Sequence, residues 1–192
     1  RPRARRPAYA LVACEYSGAV ASALNAIGVR TMSCDVLPTE KPETPHYLGD
    51  VRDVMRDGFD LIVAHPPCTF SAVASLRYLF ENPARWKKMQ DGAKLFSDLW
   101  NTGAPLVCIE QPVTHRLWRG ELGGLRPSYL DQTYNHGHCH SKPLTLYLKG
   151  GLRPLRPTKP TTGRLAQARS LRPNKERAHL RSATYIGVAQ AI

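Results

Sequence analysis

The run Leu61-Ile62-Val63-Ala64-His65-Pro66-Pro67-Cys68 decides the architecture. Four consecutive apolar residues show no alternation of faces, the pattern of a strand covered on both sides within a parallel sheet. Pro66 and Pro67 have no backbone N–H to give a ladder, so pairing ends at their approach and the chain leaves the sheet. The residue delivered at that exit is Cys68.

Upstream, Ala8 to Ala13 is a second apolar run, and a turn at Ser17-Gly18 leads into a helical stretch from Ala19 to Ile27. Arg30 to Cys34 reads as a short strand ending in Asp35. Downstream, Asn82 to Trp100 has helical spacing, with Trp86, Met89, Ala93, Phe96 and Trp100 on one face and Pro83 suited to a first turn. Leu106 to Ile109 is the next strand and runs straight into Glu110-Gln111-Pro112, and Leu144 to Leu148 reads as a late strand. Strands alternating with helices predict an α/β fold with a doubly wound, mostly parallel sheet.

Four segments are expected: a basic arm over residues 1–7, a catalytic domain over 8–150, an Arg/Pro-rich surface excursion over 151–182, and a terminal helix over 183–192 that returns to the domain. The start at Arg1 is expected of a trimmed chain.

Open parallel sheets bind ligands beyond the carboxyl ends of their strands. Three informative stretches fall at such ends: Glu15-Tyr16-Ser17-Gly18, Pro66-Pro67-Cys68 and Glu110-Gln111-Pro112. Gly18 allows close backbone approach to a cofactor, and Asp35 after the second strand is placed for ribose hydroxyls. With neither a Gly-x-x-x-x-Gly-Lys loop nor a full Gly-x-Gly-x-x-Gly, a nucleoside cofactor without a pyrophosphate fits best.

Lys and Arg number 27 against 15 Asp and Glu, a formal charge of +12. The excess is clustered, at Arg1, Arg3, Arg5 and Arg6 and again at Arg153, Arg156, Lys159, Arg164, Arg169 and Arg172. Such clusters suit a polyanion, because each phosphate neutralised releases condensed counterions. Five cysteines without paired spacing disfavour a disulfide framework and point to a reducing cytoplasm. No apolar run reaches the ~20 residues that cross a bilayer. His136, His138, Cys139 and His140 are too crowded to share one tetrahedral ion, so no metal is expected.

In the order of these motifs the chain resembles the DNA cytosine-5 methyltransferases, especially short phage-type members. Ala13 to Gly18 is similar to the family's cofactor motif, Cys34-Asp35 to its ribose contact, and Gly49-Asp50 to its adenine edge; Pro67-Cys68 matches the Pro-Cys nucleophile, and Glu110-Gln111-Pro112 stands where the family has Glu-Asn-Val. The resemblance implies a Rossmann-like fold, S-adenosylmethionine bound by Glu15, Tyr16, Ser17, Gly18, Asp35, Asp50 and Pro66, and double-stranded DNA as partner. It implies that Cys68 adds to carbon 6 of cytosine while Glu110 protonates ring nitrogen 3, a task that calls for a raised carboxyl pKa. Where the family has Gln-x-Arg-x-Arg this chain reads Gly137 to Lys142, with Lys142 in place of an arginine as a point charge. Residues 151–181 are too short for a target-recognition domain, which predicts low sequence specificity.

Other readings stay open at this point. Ala64 to Cys68 partly imitates the loop of amino-methyltransferases, a free pyrimidine nucleotide is an alternative acceptor, and a degenerate fold that only binds DNA is a third possibility. His65 is either a base contact or a strand cap.

Overall fold

The computed structural model describes residues 7–138, 142–161 and 186–191. Seven strands form one sheet: β1 (Tyr9–Ala13), β2 (Arg30–Asp35), β3 (His46–Leu48), β4 (Leu61–Ala64), β5 (Leu106–Pro112), β6 (Tyr129–Gln132) and β7 (Pro143–Lys149). Their order is β3-β2-β1-β4-β5-β7-β6. The first five strands pair in parallel, and β7 runs antiparallel to both β5 and β6. The chain winds outward from β1 through β2 to β3, then returns to the other side of β1 for β4. This reversal puts a topological switch between β1 and β4, where an open sheet splays its loops apart and leaves a crevice.

The burial pattern explains the apolar runs. All four residues of β4 are buried, as are Ala10 to Ala13 of β1. Alternate residues serve opposite faces. Ala10 and Val12 pack with Val20 and Leu24 of α1 (Ala19–Ala26) and with Val188 and Ala189 of the terminal helix α5 (Ile186–Ala189). Leu11 and Ala13 join Leu79 of α2 (Leu76–Glu81), Met89, Ala93, Phe96 and Leu99 of α3 (Ala84–Trp100), and Trp118 of α4 (Arg116–Glu121). Phe96 is the hinge of that second core, meeting the Tyr147 ring edge-on at 4.9 Å and Trp118 at 6.4 Å. Edge-to-face pairs of this kind add about 0.5–1.5 kcal/mol each beyond area burial.

Several expectations shift. α3 begins at Ala84, after Pro83, and its buried stripe ends on Leu99; Trp86 and Trp100 are only partly buried. α1 ends at Ala26, with Ile27 as its cap. Strand β7 spans Pro143–Lys149 and closes a hairpin with β6, an edge whose few apolar residues left no clear periodicity. Of the expected 151–182 excursion, residues 151–161 are held in place: Leu155 is buried in the α1 core, and Lys159 bridges to His136. Arg164, Arg169 and Arg172 lie outside the described residues, as do Cys139 and the basic arm to Arg6. No helix among the described residues is long and apolar enough to cross a membrane.

Candidate active site

The register aligns the strand ends. Ala13 lies opposite Cys34 on one side and Ala64 on the other, and Ala64 lies opposite Ile109. Cys14-Glu15, Asp35, His65 and Glu110 are therefore the first residues past a common row. The three stretches singled out in the sequence emerge along one edge, together with Asp35.

On the β1 side the chain turns sharply. Cys14 has φ 58 and Gly18 φ 66, both left-handed. Gly18 is forced twice over, because a Cβ there would also sit 2.5 Å from the Cβ of Lys41. The buried Glu15 carboxylate accepts the N–H groups of Val20 at 2.6 Å and Ala21 at 3.2 Å and the Ser17 hydroxyl at 3.3 Å. It thus satisfies orphan donors at the start of α1, where negative charge also complements the helix dipole. Tyr16 offers its carbonyl to the N–H of Glu40, which folds the loop after β2 over this turn.

The Asp35 side chain accepts the Leu37 N–H through Oδ1 at 2.9 Å and makes no further side-chain hydrogen bond among the described residues. Asp50 caps the short turn Val51–Asp53, accepting the Arg52 N–H at 2.9 Å and the Arg52 guanidinium at 3.3 Å. Of the three acids assigned to a cofactor, Asp35 alone retains a carboxylate oxygen without a partner among the described residues. Glu15 and Asp50 shape the turns around it.

On the β4 and β5 side the side chains cross between strands. His65 Nδ1 lies 3.0 Å from Glu110 Oε2, with the two side chains only 8% and 17% exposed. His65 Nε2 is buried without a partner. The buried Gln111 amide donates to the Pro66 carbonyl at 2.8 Å and accepts the Ser71 hydroxyl at 2.6 Å. His115 donates to the Phe70 carbonyl through Nε2 at 2.9 Å while its Nδ1 accepts the Trp118 N–H and caps α4. Two residues of the β5 exit thus clamp the loop that carries Cys68. Gln111 differs from the Asn of the resembled family by one methylene, and here the longer arm spans Pro66 and Ser71. Neither clamp was anticipated: their partners lie 40 and 45 positions apart in the chain.

Cysteine environments separate one thiol from the rest. Burial pushes the Cys14, Cys34 and Cys108 thiols up to about 12, so they stay protonated and inert. Cys68 is the only exposed cysteine among the described residues. It stands where the two prolines release the strand.

Glu110 corrects the expectation of a raised carboxyl. Burial pushes its pKa up, but the hydrogen bond from His65 and the nearby charge of Lys142 outweigh burial and hold it below the usual carboxylate range. The resting group is a carboxylate, so the hydrogen in the 3.0 Å contact belongs to His65 Nδ1, which donates. Lys142 acts here as a through-space partner of Glu110. The crowded histidines resolve differently: His136 pairs with Asp131 in the β6 hairpin, and no metal-ligand cluster forms among the described residues.

Arg153, Arg156 and Lys159 are exposed. Beside α4, Arg116, Arg119 and Arg126 line an open cavity of about 560 Å³ together with Gly120, Gly124 and Pro127.

The sequence matches no protein-family model and no curated protein. Among solved structures it is similar to a protein described as a DNA modification methyltransferase encoded within an E. coli prophage, at 13% identity over 73% of this chain and 45% of that one, with a TM-score of 0.49. An rRNA methylase from Escherichia coli aligns at 16% identity over 74% of this chain and 57% of that one, TM-score 0.41. The bifunctional kinase-methyltransferase WbdD aligns at 14% identity over 78% and 36%, TM-score 0.43. The chain thus spans about half the length of these proteins or less. Superpositions this loose carry no argument about chemistry, which rests on the strand ends themselves.

Proposed function

We propose that the chain is an S-adenosylmethionine-dependent DNA methyltransferase acting on carbon 5 of cytosine through a covalent adduct with Cys68. One observation carries the reading: the exposed thiol leaves β4 beside a His65–Glu110 pair that bridges β4 and β5 at the switch-point edge. A nucleophile and a proton-holding carboxylate on adjacent strand ends are what addition to a pyrimidine ring needs. The sheet order with helices against both faces is consistent with the doubly wound, Rossmann-like fold that the resemblance implies.

The donor set fits a nucleoside cofactor. The unpartnered oxygen of Asp35 suits a ribose hydroxyl, and Glu15 and Asp50 rigidify the turns on either side. Tyr16, Ser17, Gly18 and Pro66 complete the wall assigned to it. When bound, S-adenosylmethionine supplies an electrophilic methyl group at a sulfonium.

The chain's own residues prepare the acceptor. Cys68, as thiolate, adds to carbon 6 and pushes electron density toward carbon 5 and ring nitrogen 3. The proton for nitrogen 3 is the one the Cys68 thiol gives up, relayed through the Glu110 carboxylate rather than supplied by a waiting carboxylic acid. The His65 Nδ1–H donates to the Glu110 carboxylate and orients it for this relay. Once carbon 5 carries the methyl, its proton passes to water, the double bond re-forms and expels the Cys68 thiolate, and the proton on nitrogen 3 returns through Glu110 to that sulfur. A base swung out of the duplex is required for the thiol to reach carbon 6. Arg153, Arg156 and Lys159, with Arg164, Arg169 and Arg172, are assigned to phosphates, which position DNA without reading sequence. Low specificity follows.

The test is transfer of labelled methyl from S-adenosylmethionine to unmodified duplex DNA, comparing the parent with Cys68→Ser and identifying the product by mass spectrometry. Label in 5-methylcytosine that disappears in the variant is expected. Label on an amino group that survives the substitution overturns the reading.

A further inference from the structure

Immediately beyond Cys68 the chain builds a surface that the methyl-transfer chemistry does not use. Phe80 is 68% exposed and Tyr78 37%, although both are rings on a short helix with a core beneath it. Arg77 lies over the Tyr78 ring at 4.4 Å, and Arg85 lies over both Phe70 at 4.8 Å and Tyr78 at 5.5 Å. Phe80 meets Trp86 in a T-shaped pair at 6.1 Å and keeps most of its surface open to solvent. Neither arginine is in an ion pair among the described residues, and the Arg85 Nε is buried without a partner. Between Phe70 and Gln90 the chain holds four basic residues, Arg77, Arg85, Lys87 and Lys88, against Glu81 as the lone acid.

We propose that Tyr78, Phe80, Arg77 and Arg85, with Arg85 seated on the Phe70 ring, form a stacking platform for unpaired bases of a DNA strand opened next to the target cytosine. The inference rests on the DNA reading above and adds to it the state of the DNA that is recognised. Bases stack on aromatic faces and on guanidinium planes whatever their identity, and the arginine charges serve the adjoining phosphates. An apolar protein partner would find this surface too basic. A fully paired duplex offers no base face to the rings. Position supports the same occupant: Phe70 is two residues past Cys68, and its carbonyl is tied to His115 at the β5 exit. The platform is thus fixed to the strand that carries Glu110.

The experiment measures binding of a fluorescein-labelled duplex with a three-base unpaired bubble, and of the same duplex fully paired, by anisotropy at two salt concentrations. The variants are Phe80→Ala, Tyr78→Ala, Arg85→Gln and the ring-retaining control Phe80→Trp. Phe80→Ala and Tyr78→Ala are each expected to weaken bubble binding about 5- to 100-fold, as losing one base–aromatic stack does. Paired duplex should be affected less than twofold, Phe80→Trp should bind as the parent does, and Arg85→Gln should flatten the salt dependence. Equal weakening on both DNAs, or none on either, overturns the platform while leaving the DNA reading intact. No binding of the parent to either DNA overturns both. Self-association of the parent that Phe80→Ala abolishes, with DNA binding unchanged, assigns the patch to a second copy of the chain and overturns the proposal.

Discussion

Two histidine–carboxylate pairs of nearly equal length sit in different parts of the sheet, one at the β4 and β5 exits and one at the edge strand β6. His65 and Glu110 are 3.0 Å apart with side chains 8% and 17% exposed; His136 and Asp131 are 2.9 Å apart and fully buried. The buried pair is saturated. Asp131 Oδ1 accepts from Asn135 at 2.6 Å and from the Gln132 N–H at 2.7 Å, and His136 Nδ1 meets the Thr158 hydroxyl at 3.3 Å. The strand-end pair is open: His65 Nε2 has no partner, a deficit that usually costs about 1–3 kcal/mol and persists where function holds it. The same two functional groups thus form a rivet in one place and an open contact at the candidate site in the other, and completeness of hydrogen bonding tells them apart.

Glu110→Gln is the harshest way to break that contrast. The amide keeps the shape but neither draws the Nδ1 proton of His65 nor passes one on, so kcat is expected to fall about 10³-fold, ~4 kcal/mol of barrier, with the fold intact. Steady-state methylation beside a thermal melt checks it; a melt that drops in step with kcat would show the pair to be structural. Asp131→Ala is expected to do the reverse. Stripping one partner from a buried pair costs about 3 kcal/mol of stability, read as a lower urea midpoint, while the folded fraction keeps its turnover. His65→Asn comes next. Asn still donates to Glu110 but lacks the rigid ring that orients the carboxylate, so a loss of about 30-fold, ~2 kcal/mol, is expected in kcat, together with an unchanged KM for DNA.

Legibility in the sequence follows the same divide. The strands β1, β4 and β5 were readable because burial on both faces makes them uninterrupted apolar runs, and their exits were readable because Gly18, Pro66 and Pro67 punctuate them. Cys68 and Glu110 followed from those exits. Strand β3 has three residues and α2 and α4 six each, too few for a period to show. The His65–Glu110 contact joins residues 45 apart and depends on register, so the sequence offered burial alone as a guide to the Glu110 carboxyl and pointed the wrong way. Glu15 shows the converse. Its place at a strand end was legible, yet its carboxylate turns back on α1, a choice made by the geometry of the turn.

A third histidine sharpens the comparison at the smallest scale. His115 Nδ1 accepts the Trp118 N–H, so that nitrogen must be unprotonated, and Nε2 carries the hydrogen given to Phe70. Burial and, less strongly, the Arg119 charge pull its pKa below the ordinary histidine value, although the Phe70 bond resists. The sign follows from where protons are held. The unfolded chain takes up a proton near pH ~6.5 while the folded one still refuses it, so this histidine's stabilisation is complete above that pH and is lost progressively as pH falls through the window beneath it. His115→Asn should keep a cap for α4, since Asn accepts from the same turn, but has nothing to titrate. Urea midpoints measured from pH 7.5 to pH 5 should therefore fall less for the variant than for the parent. An acid limb equally steep in both would locate the titration elsewhere and leave His115 as a cap of α4 alone.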